Sequence, residues 1–360
     1  MARAGADVTI GIAMTTTAIV IGAGQSGIAA AFALRDNGFR PLVLEAGSDT
    51  AGSWPHYYDS LRLFTPAHFN ALPGRPFPGD PDRYPTRDEV AAYLRTCAAD
   101  LGDAVRTGHG VTSVVRDGSG YRLRTVDGAE FVAPVVVSAT GSFANPHRPH
   151  IPGLARYTGR VMHAADYRTP AQLAGQRVVV VGSGNSAVQI AVELAAVADV
   201  ILACRTPIRY ASTEPIPARS RFWSLLASAA RLPVGPLFGT GTIPVIDTDG
   251  YRNALRAGRP EVRDMPTAAA GTVLCWPDDR RDHVDTVVLA TGYRPALPHL
   301  RAVITLDRNG FPRHRHGLSS THPGLAFVGL EYQHTILSAT LHGVGRDSRH
   351  VARRLARRYR

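Results

Sequence analysis

Two short stretches carry residue types able to hold phosphate. The first is Gly22-Ala23-Gly24-Gln25-Ser26-Gly27, followed by Glu45. The second is Gly182-Ser183-Gly184-Asn185-Ser186-Ala187, followed by Arg205 and Thr206. In such a turn the first glycine makes the bend and the second lets the backbone approach a pyrophosphate. The third small residue lets helix and strand pack closely. The anion then sits on the free amides and positive end of the helix that follows. Glu45 lies 18 residues past Gly27, where a carboxylate can bond a ribose hydroxyl. Arg205 lies 23 residues past Gly182 and suits a 2′-phosphate, which favours NADP over NAD. The other reading of Arg205 is a surface charge at a strand end.

The flanking sequence supplies the elements that position these turns. Ala18-Ile19-Val20-Ile21 reads as a buried parallel strand, Ile28 to Asn37 as a helix stopped by Gly38, and Leu42-Val43-Leu44 as the next strand. Arg177 to Val181, Val188 to Ala198 and Val200 to Ala203 repeat that order around the second turn. Each unit has a further strand ending in Ala-Thr-Gly, at Ala139-Thr140-Gly141 and at Ala290-Thr291-Gly292. Thr86 reads as the cap of a helix, with Glu89 as its capping-box partner. Between Val111 and Ala133, Asp-Gly turns separate three short alternating strands, a small antiparallel insert. Residues 206–260 are proline-rich and read as irregular, and Val262 to Trp276 as a hairpin. Phe222, Trp223, Leu225 and Leu226 read as local core under that long loop, with a substrate lid or partner face as the alternatives.

Composition narrows the classes. A chain of 360 residues has room for about two domains. The net charge is +11, but every basic residue is arginine and these are scattered, which argues for a solvated surface rather than a nucleic-acid face. No apolar run is long enough to span a membrane. Cys97, Cys204 and Cys275 form no CxxC and no paired framework, as expected of a reduced cytoplasmic protein. Met1 to Thr16 lacks the apolar core of a signal peptide, and residues 1–13 read as an extension or an upstream start. His314-Arg315-His316 lacks an accompanying acid or cysteine and reads as a solvated loop, so no metal site is expected.

Two glycine turns, each with its Ala-Thr-Gly strand end, resemble the two-dinucleotide flavoproteins. Between them, Tyr157-Thr158-Gly159-Arg160-Val161-Met162-His163-Ala164-Ala165-Asp166-Tyr167 is similar to the FxGxxxHxxxY fingerprint of the flavin-containing monooxygenase family, with tyrosine first. The resemblance runs from about Thr17 to Tyr359 and is nearest to the compact bacterial CzcO-like or ArsO-like branch. It implies an α/β fold of two Rossmann-like domains. The FAD domain takes residues 1–155 and 286–360, and the NADPH domain is inserted at 156–285. FAD is expected on residues 22–27 and Glu45, with Gly52, Ser53, Trp54, Thr65, Val111, Ala139, Thr140, Gly141 and Gly329 around it. NADPH is expected on residues 182–187, with Arg205 and Thr206 at its phosphate and Thr291 and Gly292 alongside. Tyr157, Gly159, His163 and Tyr167 are expected in the linker between domains, His163 ordering that crossing rather than moving protons. Thr65 and His163 are the side chains closest to a catalytic assignment; the flavin carries the chemistry.

The implied reaction is NADPH reduction of FAD, oxygen addition to give a C4a-hydroperoxide, and transfer of one oxygen atom to a small nitrogen, sulfur or carbonyl substrate. Related enzymes often place an asparagine near the flavin; Leu63-Phe64-Thr65-Pro66 carries none, and the next is Asn70. His342 and Arg346 read equally as flavin neighbours or as capping and surface groups. The alternative function is an NADPH-dependent flavin reductase passing electrons to a partner. Molecular oxygen and a small molecule are the expected partners, with a homodimer compatible with the sequence.

Overall fold

A computed structural model describes residues 16–238 and 243–359. The expectation for residues 1–13 lies outside the described residues. Two sheets organise the chain, the first parallel except for its antiparallel end at residues 314–327 and the second parallel throughout. The first runs His314–Arg315, Leu318–Ser319, Leu325–Phe327, Val135–Ser138, Thr17–Ile21, Arg40–Leu44, Val105–Arg106. Its central strands are apolar on both faces because helices cover one side and the small antiparallel sheet the other. The second runs Glu261–Asp264, Asp199–Cys204, Arg177–Val181, Thr286–Leu289, Arg160–His163, all parallel.

Among the described residues six α-helices complete the layers: α1 (Gln25–Asp36), α2 (Arg87–Ala99), α3 (Asn185–Leu194), α4 (Arg221–Ala229), α5 (Tyr251–Arg256) and α6 (Leu341–Tyr359). α1 packs along α6, whose Val344, Val351 and Leu355 enter the same core as Ile28 and Leu34. α2 opens with the capping box expected at Thr86 and Glu89. The antiparallel insert forms as Val111–Asp117, Gly120–Thr125 and Glu130–Ala133.

Three expectations are corrected. Thr286–Leu289 pairs with Arg177–Val181 and Arg160–His163, so the return to the first layer falls after Leu289, not at residue 286. Both layers end a strand on Ala-Thr-Gly, so the motif alone does not tell one sheet from the other. Residues 206–260 contain α4 and α5 rather than irregular chain alone. Glu261–Asp264 is an edge strand of the second sheet, and the hairpin is confined to Ala268–Ala270 and Val273–Cys275.

Asp347, in α6, is fully buried and neither carboxylate oxygen has a hydrogen-bond partner. Desolvation pushes its pKa up to about 8, against the milder pull of Ser338 and Arg346. An acid whose folded pKa lies above its unfolded value loses stability as pH rises towards the folded value. Asp347→Asn is therefore expected to raise the thermal midpoint at pH 8 by several degrees while changing it little at pH 4. Melting curves of both proteins across that range test this; a lower midpoint at pH 8 would show that the carboxyl group is needed.

Candidate active site

A helix begins with amides that its own backbone cannot satisfy, and a side chain usually takes them up. Four of the six described helices follow that rule. Thr86 caps α2, Ser220 caps α4, and Thr340 accepts from Gly343 at the start of α6. Asp247 accepts from the amides of Asp249, Gly250, Tyr251 and Arg252 at α5. The other two, α1 and α3, start on Gly24 and Gly184 with no side-chain cap. They are the helices that follow the two glycine turns.

Around α1 the structure gathers the first-turn residues. Gly22 has φ of +100° and lies against the Ala139 carbonyl, which a Cβ would meet at 2.9 Å. A Cβ on Gly52 would come within 2.8 Å of the Gly24 Cα, so two backbones form one narrow cradle. Trp54 donates from its indole to Gln25 (3.0 Å), and a Cβ on Gly329 would strike the Ser26 hydroxyl at 2.2 Å. Ser53 precedes the 3₁₀ turn Trp54–His56. Glu45, at the end of Arg40–Leu44, accepts from the Ala23 amide (2.6 Å) and the Gly47 amide (2.9 Å). Its carbonyl accepts from His109 (2.8 Å), which brings the start of Val111–Asp117 beside it. The buried hydroxyl of Thr140 has no partner. An uncapped helix, a backbone cradle and an orphan hydroxyl fit a diphosphate-bearing group such as FAD.

Around α3 a cleft of about 470 Å³ opens. Gly182, Ser183, Gly184, Asn185, Ser186, Arg205, Thr206, Thr291 and Gly292 all line it. Ala187 does not; it is fully buried, where the Gly182 turn folds over it. Asn185 uses its side chain to bind the Ile246 amide and the Pro244 carbonyl, which fixes the cleft wall. His147, with its pKa lowered by burial and by Arg294 and Arg205, stands in the same cleft. This basic surround suits the phosphates of NADPH.

Thr65 lies elsewhere, buried, its hydroxyl donating to the side-chain Oδ1 of Asn70 (2.9 Å). The Asn70 amide is in turn spent on the carbonyls of Thr65 and Pro66, both 2.9 Å. His342 stacks on Phe69 with ring centroids 4.0 Å apart and bonds its carbonyl, while Arg346 donates to the Arg231 carbonyl.

The fingerprint residues lie inside the second layer rather than in a linker, because Arg160–His163 is its edge strand. Tyr157 donates to the Val284 carbonyl and Tyr167 to Glu193 (2.9 Å). His163 is fully buried; Nδ1 accepts from the Ala165 amide (3.1 Å). Nε2 must then carry the proton, and it donates to the Gly292 carbonyl (3.1 Å). Burial lowers its pKa. A neutral imidazole with both nitrogens engaged has no lone pair left for general-base work.

Sequence reasoning missed most of the facing wall: Tyr57, Tyr58, Tyr293, Glu331, Tyr332 and Leu337. The available signal was a tyrosine directly after Ala290-Thr291-Gly292 and a tyrosine pair soon after Trp54. His314 and His316 are half-buried, not solvated: His316 Nδ1 lies 3.0 Å from that of His334, whose ring stacks on His350. Among the described residues no group of three or more His, Cys, Asp or Glu is arranged to hold a metal. No described helix is long and apolar enough to cross a membrane.

Two Rossmann-type layers, each with an uncapped helix behind a glycine turn, define a two-dinucleotide oxidoreductase. Residues 19–218 match the pyridine nucleotide-disulphide oxidoreductase family. The chain is 32% identical over 340 residues to an uncharacterised CzcO-like oxidoreductase of Geobacillus kaustophilus, covering 92% of this chain and 96% of that one. It is 31% identical over 318 residues to the indole-3-pyruvate monooxygenase YUCCA1 of rice, covering 78% and 77%. A solved flavin-containing monooxygenase from Stenotrophomonas maltophilia superposes with a TM-score of 0.84 at 29% identity, over 95% of this chain and 98% of that one. The chain belongs to the pyridine nucleotide-disulphide oxidoreductase family, among its flavin-containing monooxygenases of the CzcO-like kind. It is an FAD- and NADPH-dependent oxidoreductase of the monooxygenase type.

His163→Leu leaves the Ala165 amide without its partner, while the Gly292 carbonyl keeps the His147 amide (2.9 Å), at a cost of about 1–3 kcal/mol. It is expected to lower the thermal midpoint and leave the pH profile of flavin reduction unchanged in shape. Loss of an ionisation from that profile would instead make His163 a proton-transfer group.

Proposed function

We propose that this enzyme spends NADPH to oxygenate a small soft nucleophile, nitrogen or sulfur, or a carbonyl carbon, through a flavin C4a-hydroperoxide. Carrying the proposal is the pair of uncapped helices, of which only the second is ringed by Arg205, Arg294 and His147. Bound FAD supplies the redox and oxygen chemistry. The chain's own residues hold, orient and shield. The α1 amides and Glu45 hold the first nucleotide, in the set Gly22–Gly27, Gly52, Ser53, Trp54, Val111, Ala139–Gly141 and Gly329. The α3 amides hold the second, with Arg205 and Thr206 at its 2′-phosphate. His163 fixes the Gly292 carbonyl at the cleft floor, and the Thr291 hydroxyl donates to the His147 carbonyl (2.5 Å). Tyr58 and Tyr293 keep their phenols protonated, because burial pushes both pKa values well up. They wall the cleft from water, which favours productive oxygen transfer over release of peroxide.

A disulfide reductase would need a cysteine pair at the cleft. Cys97, Cys204 and Cys275 are free thiols and none lines it. Free thiols also accord with a place in the reducing cytoplasm.

The test is anaerobic reduction by NADPH followed by rapid mixing with oxygen. A slowly decaying flavin species, with peroxide well below one equivalent when an accepted amine, sulfide or ketone is present, is the expected outcome. Immediate reoxidation with one equivalent of peroxide, whatever the substrate, would favour the reductase. Separately, Arg205→Ala is expected to raise KM for NADPH about tenfold or more, equivalent to about 1.4 kcal/mol, and to leave NADH unaffected. Equal use of both nucleotides by the unaltered enzyme would remove the role given to Arg205.

A further inference from the structure

Ten large apolar side chains stand out as exposed among the described residues, and four of them fall between residues 225 and 238. Leu225 is 71% exposed, Leu232 57%, Leu237 84% and Phe238 57%. Single exposed apolar residues need no explanation, but a cluster does. The cluster follows from helix spacing. Trp223, Leu226 and Ala230 turn inward at i, i+3 and i+7 and join a core with Phe69 and Leu337. Leu225, Ala229 and Leu232 turn outward at i, i+4 and i+7, the last on the turn that continues α4, where the Leu232 amide bonds the Ala229 carbonyl (3.1 Å). The sequence expectation of local core thus holds for the inner face only. The outer face is apolar and uncovered.

Its surroundings are mostly basic. No acidic residue occurs between Glu214 and Asp247, a stretch that holds Arg219, Arg221 and Arg231. Arg219 is paired with Asp82 and is set aside. The Arg346 guanidinium donates to the Arg231 carbonyl (2.6 Å), which seats α6 beside the patch. Arg349 and Arg353 follow at i+3 and i+7 on the same side of α6 and are exposed. Along α6 the only acid is Asp347, which is buried; among the described residues the one exposed acid beside the patch on this side is Glu331, next to Tyr332. An apolar face whose border is mostly arginine is the composition that binds a bilayer surface, with leucines at the acyl boundary and guanidinium groups on headgroup phosphates.

We propose that this face, Leu225, Leu232, Leu237 and Phe238 with Arg349 and Arg353 at its border, docks the enzyme on an anionic phospholipid surface. The docking is peripheral and separate from the reaction assigned above. Phe238 stacks on Tyr332, with ring centroids 6.3 Å apart, and Tyr332 lines the cleft. The patch therefore borders the cleft, and docking would bring that border to the bilayer. A second copy of this chain is disfavoured by charge, since both faces would bring the same unpaired arginines together.

The test uses the full chain with its FAD, sedimented with vesicles of phosphatidylcholine alone or mixed with phosphatidylglycerol. Partition at least about tenfold stronger onto the mixed vesicles, weakening with added salt, is expected. The double variant Leu225→Asp with Leu237→Asp is expected to lose at least about tenfold of that partition. It should keep bound FAD and its thermal midpoint, because both side chains are already in solvent. Arg349→Gln with Arg353→Gln, on the other element, should weaken binding to the mixed vesicles alone. Absent or equal partition onto the two vesicle types would overturn the proposal. So would partition that both variants leave intact, or a dimer in sedimentation velocity that the leucine variant dissociates, which would make the face an interface between copies.

Discussion

Helix amides without a partner are the constraint on which this structure depends. A cap residue at a helix start stabilises by about 1 kcal/mol; among the described residues Thr86, Ser220 and Thr340 cap α2, α4 and α6, and Asp247 takes up the first amides of α5. α1 and α3 go without. Glycine at each N-cap position gives up that stabilisation and leaves the end of the helix dipole open to an anion. The rest of each unit is built to keep that end accessible. Gly22 and Gly182 bend the chain so tightly that a Cβ would collide with the carbonyls of Ala139 and Ala290. The Ala-Thr-Gly strand ends are pinned to the neighbouring strands by amide bonds of 2.9 Å from Ala139 to Ile21 and 2.8 Å from Ala290 to Val181.

The two units repeat one strand–turn–helix–strand design and carry opposite charges where its second strand ends. Where Arg40–Leu44 ends, Glu45 sits; where Asp199–Cys204 ends, Arg205 sits. A carboxylate accepts from a ribose hydroxyl, and a guanidinium pairs with phosphate. In the function proposed above, that exchange of sign is what assigns two nucleotides to one fold repeated within a single chain. His163 then serves geometry: with both ring nitrogens in hydrogen bonds it holds the Gly292 carbonyl where the second cleft has its floor.

Much of this was legible in the sequence, for physical reasons. The glycine turns, the flanking valine-rich strands, the Thr86–Glu89 cap and the three-stranded insert depend on local spacing, which the sequence displays directly. What was not legible depends on contacts distant in sequence. Asp247 organises α5 by gathering four amides, an arrangement hidden among prolines. Thr286–Leu289 belongs to the second sheet, yet its sequence fits either. The tyrosine wall is drawn from three separate segments, and Thr65 and Asn70 satisfy each other instead of facing the cleft. The fingerprint at His163 pointed to the right family while its residues proved to be an edge strand.

In the proposed function, the open end of α3 holds NADPH for reduction of the flavin. Ser186→Asp tests it most directly, because it sets a carboxylate on the first turn of α3, inside the cleft. A negative charge there favours the helix by about 0.3–1 kcal/mol and repels a pyrophosphate. Stability and reduction should therefore move in opposite directions. The account predicts a thermal midpoint held or raised, FAD retained, and anaerobic flavin reduction at low NADPH slowed about a hundredfold. Reduction at the unaltered rate, in a variant that still holds FAD, would contradict it.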